Sequence, residues 1–321
     1  MLLRSLFLLF VLASAGSQVA AEPLPIAPVL VVPAIELPDN AATAAIQPDE
    51  HNRRLIAVDI SSEGPFRFLV DTGAQATVVS RSVAEWIGLL PAGAGILVGT
   101  GSRRLVELVE LPALTFAERE MSLPAIPVLE REHLGADGIL GLDSLQGLRI
   151  LIDFKQNVIN IADPEEDRLT GRYEIIVRAR KRLGQMIITD ATIDGVRTAV
   201  IVDTGAALSI GNRALQRRLR ARSQDEVETT DVNGISFTAD LRIAKRVKIG
   251  SLTIDTVQIG FADSPAFAAM GLGDRPALIL GMSALQGLDR LAIDFAARKV
   301  MFDLPAEALR ASPRRGASPR F

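Results

Sequence analysis

The chain has 321 residues, of which 48% are hydrophobic and 4% aromatic, with no cysteine and a net charge of -3 at pH 7. This mildly acidic balance gives no support for nucleic-acid binding. With two histidines and no cysteine, a zinc site of the usual kind is not expected. We therefore predict neither a metal nor another cofactor, and a fold that depends on its hydrophobic core rather than on disulfides.

The first 21 residues have the pattern of a secretory signal peptide. Arg4 supplies a positive charge, an apolar run follows at residues 6–13, and small residues end at Ala21 before Glu22. The apolar run is shorter than the roughly 20 residues that a membrane-spanning helix needs. We expect residues 1–21 to be removed and the mature protein to be secreted, into the periplasm, without a stable membrane span. An uncleaved anchor is the alternative.

Residues 22–51 are rich in proline and alanine without a sustained period, which is typical of a linker; a pro-segment is the alternative. Two structured units are predicted after it, at residues 52–162 and 172–304. A charged linker at residues 163–171 separates them. The last residues, 305–321, are basic and without period, and we expect them to be disordered.

The sequence of the first unit predicts a mostly β structure with a few short helices. Ser82 to Glu85 has the form of a capping box that opens a helix, and Gly88 would end that helix. The other elements are predicted at residues 55–60, 66–70, 77–79 and 150–154 (strands), 96–111 (a hairpin) and 142–146 (a helix).

The second unit repeats this order. Its elements are predicted at residues 186–190, 198–202, 208–210 and 291–295 (strands), 212–219 (a helix) and 231–237 (a hairpin). The stretches 139–148 and 279–288 differ at only three positions. The repeat is too long for a solenoid, so it indicates a duplicated domain. Residues 172–180 form a further candidate strand, placed to bridge the two units.

An Asp-Thr-Gly-Ala sequence follows an apolar run in each unit, at residues 71–74 and 203–206. If a two-fold axis relates the units, Asp71 and Asp203 lie within hydrogen-bond distance and hold one proton between them, because two adjacent buried carboxylates do not both ionise readily. One can take a proton from water while the other donates to a carbonyl oxygen, which hydrolyses an amide directly. The structural alternative, a carboxylate that merely caps a turn, is disfavoured by the duplication.

These motifs resemble those of the aspartic peptidases. The resemblance rests on both Asp-Thr-Gly-Ala sequences and on the Ile-Leu-Gly sequences at residues 139–141 and 279–281, and it covers about residues 52–304. The alanine after Asp-Thr-Gly and the closing Ile-Asp-Phe strands are most similar to the retropepsin (retroviral-type) branch, whereas two lobes in one chain are similar to the pepsin arrangement. The resemblance implies two closed, barrel-like β lobes related by pseudo-two-fold symmetry.

The activity implied by this resemblance is that of an aspartic endopeptidase. It would act on peptide or protein substrates as a monomer, with both aspartates from one chain. The implied roles are catalysis for Asp71 and Asp203, support of the active-site loops for Thr72, Gly73, Thr204 and Gly205, and flap positions for Gly99, Thr100, Gly101, Asn233 and Gly234. In this reading the threonines bond across the axis and the glycines permit the turns.

Alanine at positions 74 and 206 affects the expected working pH. The pepsin branch has a hydroxyl residue there that can hydrogen-bond the carboxylate and favour its ionised form. Without that hydroxyl, we expect a weakly acidic or neutral optimum rather than a strongly acidic one.

The competing function is a binding module that holds peptides or a partner without cutting them; the intact motifs favour the enzyme. We interpret Asp153 and Asp294 as structural hydrogen-bonding residues, Asp143 as a helix-surface residue and Trp86 as part of the core. Arg103 and Arg104 are interpreted as a solvated hairpin tip, with a position at the edge of the cleft as the alternative, and both histidines as solvated. The substrate stays open.

Overall fold

The computed structural model describes residues 3–4, 10–13, 42–45, 47–49, 53–162, 173, 175–182, 185–220 and 225–305. Most of the predicted signal peptide and of the predicted linker or pro-segment at residues 22–51, including His51, lies outside the described residues. So do the predicted linker at residues 163–171 and the tail after residue 305. Among the described helices, none has the length and apolar character to cross a membrane.

The described residues form 26 strands and six short helices. Those before the first lobe are β1 (Leu3–Arg4), β2 (Phe10–Ala13), β3 (Ala42–Ala45) and β4 (Gln47–Pro48). Those of the first lobe are β5 (Arg54–Ile60), β6 (Glu63–Val70), β7 (Val78–Ser80), α1 (Arg81–Ile87), β8 (Pro91–Val98), β9 (Arg103–Phe116), β10 (Arg119–Leu129), α2 (Arg131–Leu134), β11 (Gly138–Leu140), α3 (Leu142–Leu145), β12 (Arg149–Asp153) and β13 (Val158–Ala162). Those of the second lobe are β14 (Ile175–Arg178), β15 (Arg180–Arg182), β16 (Gln185–Ile188), β17 (Ala191–Ile193), β18 (Val196–Arg197), β19 (Ala199–Val202), β20 (Ser209–Asn212), α4 (Arg213–Arg218), β21 (Asp225–Thr230), β22 (Ser236–Ile249), β23 (Leu252–Ala262), α5 (Pro265–Ala269), β24 (Ala277–Leu280), α6 (Met282–Leu285), β25 (Arg290–Asp294) and β26 (Lys299–Asp303).

Each lobe is built on one sheet, and the two sheets have corresponding strand orders. The first runs β2-β8-β9-β10-β7-β11-β6-β5-β4, and the second runs β1-β21-β22-β23-β20-β24-β19-β16-β15, with β17 and β18 beside this path. In both, the strand that leads to the Asp-Thr-Gly sequence pairs in parallel with the strand of the Ile-Leu-Gly sequence, β6 with β11 and β19 with β24. The mostly β, two-lobe fold class is confirmed.

A third sheet joins the lobes. Its order is β14-β26-β25-β12-β13-β3, so the closing strands of both lobes pair directly, with β12 antiparallel to β25. Arg149 of β12 forms an ion pair with Asp294 of β25, with 2.7 Å between Nη2 and Oδ2. Asp153 accepts a hydrogen bond from the backbone N–H of Gln156 at 2.8 Å. Both aspartates are therefore structural, as predicted.

Short strands also occur in the N-terminal stretches predicted as signal peptide and linker. The strands β1 and β2 pair with β21 and β8, while β3 and β4 pair with β13 and β5. These strands extend the edges of all three sheets through backbone pairing.

The predicted helix at the first Asp-Thr-Gly loop is present, but two details of its prediction are wrong. Its N-cap is Ser80 rather than Ser82, because the Ser80 hydroxyl accepts from the N–H of Val83. Trp86 is 69% exposed rather than part of the core, because this two-turn helix turns Val83 and Ala84 inward. Gly88 ends the helix with a left-handed φ of 73°, as expected.

Candidate active site

The strands β6 and β19 each end directly before a buried aspartate. Asp71 and Asp203 are both 0% exposed. Each is fixed by its own backbone N–H, which donates to the carbonyl of Leu140 or Leu280 on the parallel neighbouring strand, at 3.1 and 3.0 Å. The equivalent strand pairs of the two lobes thus present one carboxylate each.

Each carboxylate is held by its own active-site loop through one oxygen and lies against the opposite loop with the other. The Oδ1 atom of Asp71 accepts from the N–H groups of Gly73 and Ala74 at 2.7 and 2.9 Å. The equivalent oxygen of Asp203 accepts from the next two loop N–H groups, those of residues 205 and 206, at 2.9 and 3.0 Å. Neither Oδ2 atom has a hydrogen-bond donor among the described residues. Each faces the other lobe, so a single proton held between the two carboxyl groups would satisfy both.

The two loop glycines are needed for space rather than for an unusual backbone angle. Neither Gly73 nor Gly205 is among the described glycines with positive φ. A Cβ atom on Gly73 would overlap the carboxylate of Asp203, and one on Gly205 would overlap that of Asp71. The prediction placed glycine correctly, but its reason, an easier turn, was wrong.

The threonines of the two loops bond across the pseudo-two-fold axis. The N–H of Thr72 donates to the hydroxyl of Thr204 at 3.1 Å, and the reciprocal distance is 3.2 Å. Each hydroxyl donates onward to a carbonyl of the opposite strand, Thr72 to Val202 at 2.9 Å and Thr204 to Val70 at 2.7 Å. This network locks the loops together and fixes the separation of the carboxylates.

Burial and mutual repulsion shape the electrostatics of the pair. Burial raises the pKa of Asp71, while the N–H groups of Gly73 and Ala74 and the charge of Arg53 hold the rise back. Burial also raises the pKa of Asp203, and the neighbouring Asp71 raises it further, well above the ordinary value. The pair therefore retains a proton at pH values where isolated carboxyl groups are ionised.

Behind the first loop, Asp143 forms a supporting network that the sequence did not reveal. It accepts hydrogen bonds from the N–H and the hydroxyl of Thr77, at 2.8 and 2.6 Å. The same hydroxyl accepts from the N–H of Gly141 at 3.1 Å. The prediction of a helix-surface role for Asp143 is thus wrong. The second lobe uses a shorter version, in which the Ser209 hydroxyl accepts from Gly281 at 3.1 Å.

The predicted flap hairpins meet at their tips. The link is Asp231, which sequence reasoning missed because a turn aspartate carries no distinctive signal. Its Oδ2 accepts from the N–H of Gly101 at 3.2 Å and from the hydroxyl of Ser102 at 2.6 Å. Its Oδ1 accepts from the N–H groups of Asn233 and Ile235 in its own turn, at 3.0 and 3.1 Å.

The apolar residue of each tip packs against the opposite lobe. Val98 of the first hairpin lies in a buried cluster with Ile201 and Ala206, whereas Val232 of the second lies in one with Leu69 and Ala74. Each hairpin tip thus packs on the lobe, and near the active-site loop, of the opposite half.

The remaining predicted flap residues lie in the same contact. Thr100 is fully buried, and Asn233 donates to the Ser102 hydroxyl at 2.9 Å. A Cβ on Gly234 would overlap the ring of His133, so this histidine borders the second hairpin rather than standing in solvent. Arg104 donates to the carbonyl of Asn233 at 3.2 Å, and Arg103 and Arg104 are both exposed, as predicted for a hairpin tip.

Two buried polar residues at the starts of equivalent strands complete the site, and no sequence pattern pointed to either. Gln185 donates from Nε2 to the carbonyl of Gly73 across the lobes, at 2.5 Å. Arg53 stays within the first lobe, with Nε 2.6 Å from Asp49 and Nη2 3.2 Å from the carbonyl of Leu134. The register of the strands determines where Arg53 and Gln185 stand, but their hydrogen bonds depend on how the two lobes pack together.

Comparison with known proteins agrees with this geometry. The sequence profile of a family described as aspartyl protease matches residues 56–144 and 189–284, together more than half of the chain. Protein DDI1 homolog 1 of Homo sapiens is 32% identical over 101 residues, or 30% of this chain and 25% of that protein. DNA damage-inducible protein 1 of Cryptococcus neoformans is 29% identical over 160 residues, or 46% of this chain and 35% of that protein. The chain matches only about a quarter to a third of the length of these relatives.

Proposed function

Because this chain belongs to the aspartyl protease family, we propose that it is a single-chain, duplicated aspartic endopeptidase of the retropepsin type. Asp71 and Asp203, one from each lobe, form the catalytic pair. The observation that carries the proposal is their shared burial, with each Oδ2 lacking a donor among the described residues and facing the opposite loop.

The proposed reaction needs only water and the two carboxyl groups. One carboxylate takes a proton from the water while the water oxygen bonds to the peptide carbonyl carbon. The other carboxyl group gives its proton to the carbonyl oxygen. As the C–N bond of the tetrahedral intermediate breaks, the carboxyl group that took the proton of water gives it to the departing nitrogen, and the other carboxylate takes a proton back from a hydroxyl of the intermediate. The threonine network supports this step by keeping both oxygens in place.

The flap role of the two hairpins is part of the same proposal. The tips join through Ser102 and Asp231 and pack beside the loops of the buried carboxylates, so in this proposal the contact opens to admit a peptide. The enzyme works as a monomer, because one chain supplies both aspartates. Its lobes are residues 52–162 and 172–304.

The proposed location, the periplasm, rests on the signal pattern of residues 1–21. Residues 22–51 would then form a leader or an inhibitory pro-segment of the exported protein. A fusion of residues 1–30 to an exported reporter enzyme tests this point, and retention of the reporter in the cytoplasm would contradict it.

The deciding experiment is cleavage of a mixed peptide library by residues 22–321 between pH 3 and 8. Asp71→Asn and Asp203→Asn should each abolish cleavage, whereas Asp153→Asn, in the interlobe sheet, should leave it intact. Activity that survives either of the first two changes would overturn the paired mechanism. A folded protein that binds the peptides without cutting them would favour the alternative, a peptide-binding module.

A further inference from the structure

The duplication places two different residues at one equivalent position. The strand pairs β5–β6 and β16–β19 have the same register relative to Asp71 and Asp203. In this register, Arg53 of the first lobe occupies the position of Gln185 in the second. Both side chains are buried, at 3% and 0% exposure. A symmetric fold therefore surrounds its two aspartates asymmetrically.

Gln185 acts on the first active-site loop through a single peptide group. Its Nε2 donates to the carbonyl of Gly73 at 2.5 Å. That carbonyl shares its peptide group with the N–H of Ala74, which donates to Oδ1 of Asp71 at 2.9 Å. A peptide whose carbonyl accepts a hydrogen bond is polarised, so its N–H becomes a stronger donor. Gln185 thus strengthens a hydrogen bond that favours the ionised form of Asp71.

Arg53 does not do the same for the second loop. Its hydrogen bonds within the described structure go to Asp49 and to the carbonyl of Leu134, and none goes to the carbonyl of Gly205. Its positive charge instead favours ionisation of Asp71, which lies in its own lobe. Gln185 and Arg53 therefore both act on Asp71.

We propose that Gln185 is a positioning residue that, together with Arg53, makes Asp71 the ionised member of the pair and Asp203 the protonated member. In the reaction of the proposed function, on which this assignment of roles rests, Asp71 takes the proton from water. Asp203 gives its proton to the carbonyl oxygen.

The charges around the pair agree with this order. The charged groups that act on Asp71 are Asp203 and Arg53, and Asp49 partly offsets the latter through its ion pair at 2.6 Å. Burial raises the pKa of both aspartates and the loop N–H groups lower both, but the positive charge of Arg53 lowers only that of Asp71.

The test combines carboxyl titration with enzyme kinetics on residues 22–321. The 13C signals of the two carboxyl groups, assigned by their absence from Asp71→Asn and Asp203→Asn, are followed against pH. Asp71 should ionise first. Gln185→Met, which removes the donor at similar length, should raise the pKa of Asp71 by roughly 0.2–0.7 pH unit. The acid limb of kcat/KM should move by the same amount.

Two further variants separate this role from simple packing. Gln185→Lys keeps a hydrogen-bond donor and adds a positive charge. The pKa of Asp71 in this variant should therefore equal the wild-type value or lie below it. Met186→Leu changes the next buried residue of β16 and should leave both titrations in place.

The assignment is overturned if Asp203 ionises first, or if folded Gln185→Met leaves both carboxyl titrations unchanged. If Gln185→Met does not fold, the assignment is overturned when the pKa of Asp71 in Gln185→Lys lies above the wild-type value. Because the titration needs no substrate, a wild-type protein that cuts no peptide refutes the proposed function without deciding the ionisation order.

Discussion

Gly73 and Gly205 show how a residue can be predicted correctly for the wrong reason. A glycine after an aspartate at a strand end is ordinarily explained by the turn it permits. Here the missing side chain makes room for a carboxylate of the other lobe, which is information that only the assembled pair contains. The requirement is therefore steric and acts across the lobes.

Gly73→Ala should consequently damage the site even though alanine fits the backbone angles. The added methyl group would overlap the Asp203 carboxylate, and we expect a loss of about 1–3 kcal/mol in the free energy of unfolding, as for other overpacked positions. Peptide cleavage should fall with it. Urea unfolding measures the first effect, with Gly287→Ala as the control, because no atom lies nearer than 3.9 Å to its Cβ position. Equal stability of the two variants would contradict the steric account.

The raised pKa values of the two aspartates also predict how stability depends on pH. A buried acid whose pKa is raised on folding binds more protons in the folded than in the unfolded state, so it destabilises the fold increasingly as pH rises from the ordinary value of 3.8 through the folded value. Asp203→Asn removes this effect, and its amide can still accept from the loop N–H groups. The variant should be more stable than wild type at pH 7, with the difference shrinking toward pH 3.

Urea unfolding of both proteins at pH 3, 5 and 7 checks this prediction. Asp274→Asn, at an exposed position, serves as the control and should show no such trend. A stability difference that stays constant with pH would mean that the carboxyl groups of the pair are not perturbed by burial. The direction of the shifts also agrees with a weakly acidic or neutral working pH, which stays a prediction.

Among the elements, strands with alternating burial were predictable from sequence, and contacts between hairpin tips were not. The hairpin at residues 96–111 was predicted from its strand, glycine-turn and strand pattern, and the one at residues 231–237 from its corresponding position in the second unit. Asp231 was missed because its partners, Gly101 and Ser102, lie about 130 residues away in the chain. Local patterns specify an element, whereas such a contact depends on the packing of two lobes.

Asp231→Ala should release the hairpin tips. It removes the acceptor of both bonds to the first hairpin and of two bonds within its own turn. With each hydrogen bond contributing about 0.5–1.5 kcal/mol, amide exchange at residues 99–102 should become faster by roughly tenfold or more. Hydrogen exchange with mass spectrometry measures this, with exposed Asp274→Ala as the control. Unchanged exchange in the first hairpin would show that the apolar packing of Val98 and Val232 holds the tips without the carboxylate.

At the scale of the whole molecule, the internal sequence repeat made the two lobes and their closing strands predictable. The repeated Ile-Asp-Phe strands were recognised, and they form the pair at the centre of the interlobe sheet. What the repeat could not predict is where the lobes differ. Arg53 stands at the position that Gln185 has in the second lobe, and Asp143 at that of Ser283. The hydrogen-bond partners of these differing residues are known only from the three-dimensional structure.

The interlobe sheet should depend strongly on one buried ion pair. The side chains of Arg149 and Asp294 are 11% and 1% exposed, and they join β12 to β25 across the lobe boundary. Asp294→Ala would leave a buried guanidinium without this partner, so we expect a loss of roughly 2–4 kcal/mol in unfolding free energy. The exposed pair between Arg246 and Asp255, at 3.3 Å, provides the matched control, and Asp255→Ala should cost less than about 1 kcal/mol.

Because β12 and β25 also hold the two halves of the active site together, Asp294→Ala should reduce peptide cleavage at temperatures where most of the protein is still folded. Urea unfolding and cleavage rates measured side by side test both effects. If Asp294→Ala and Asp255→Ala prove equally mild, the pairing of the lobes rests on the backbone ladder and apolar packing of the sheet, and the ion pair only sets its register.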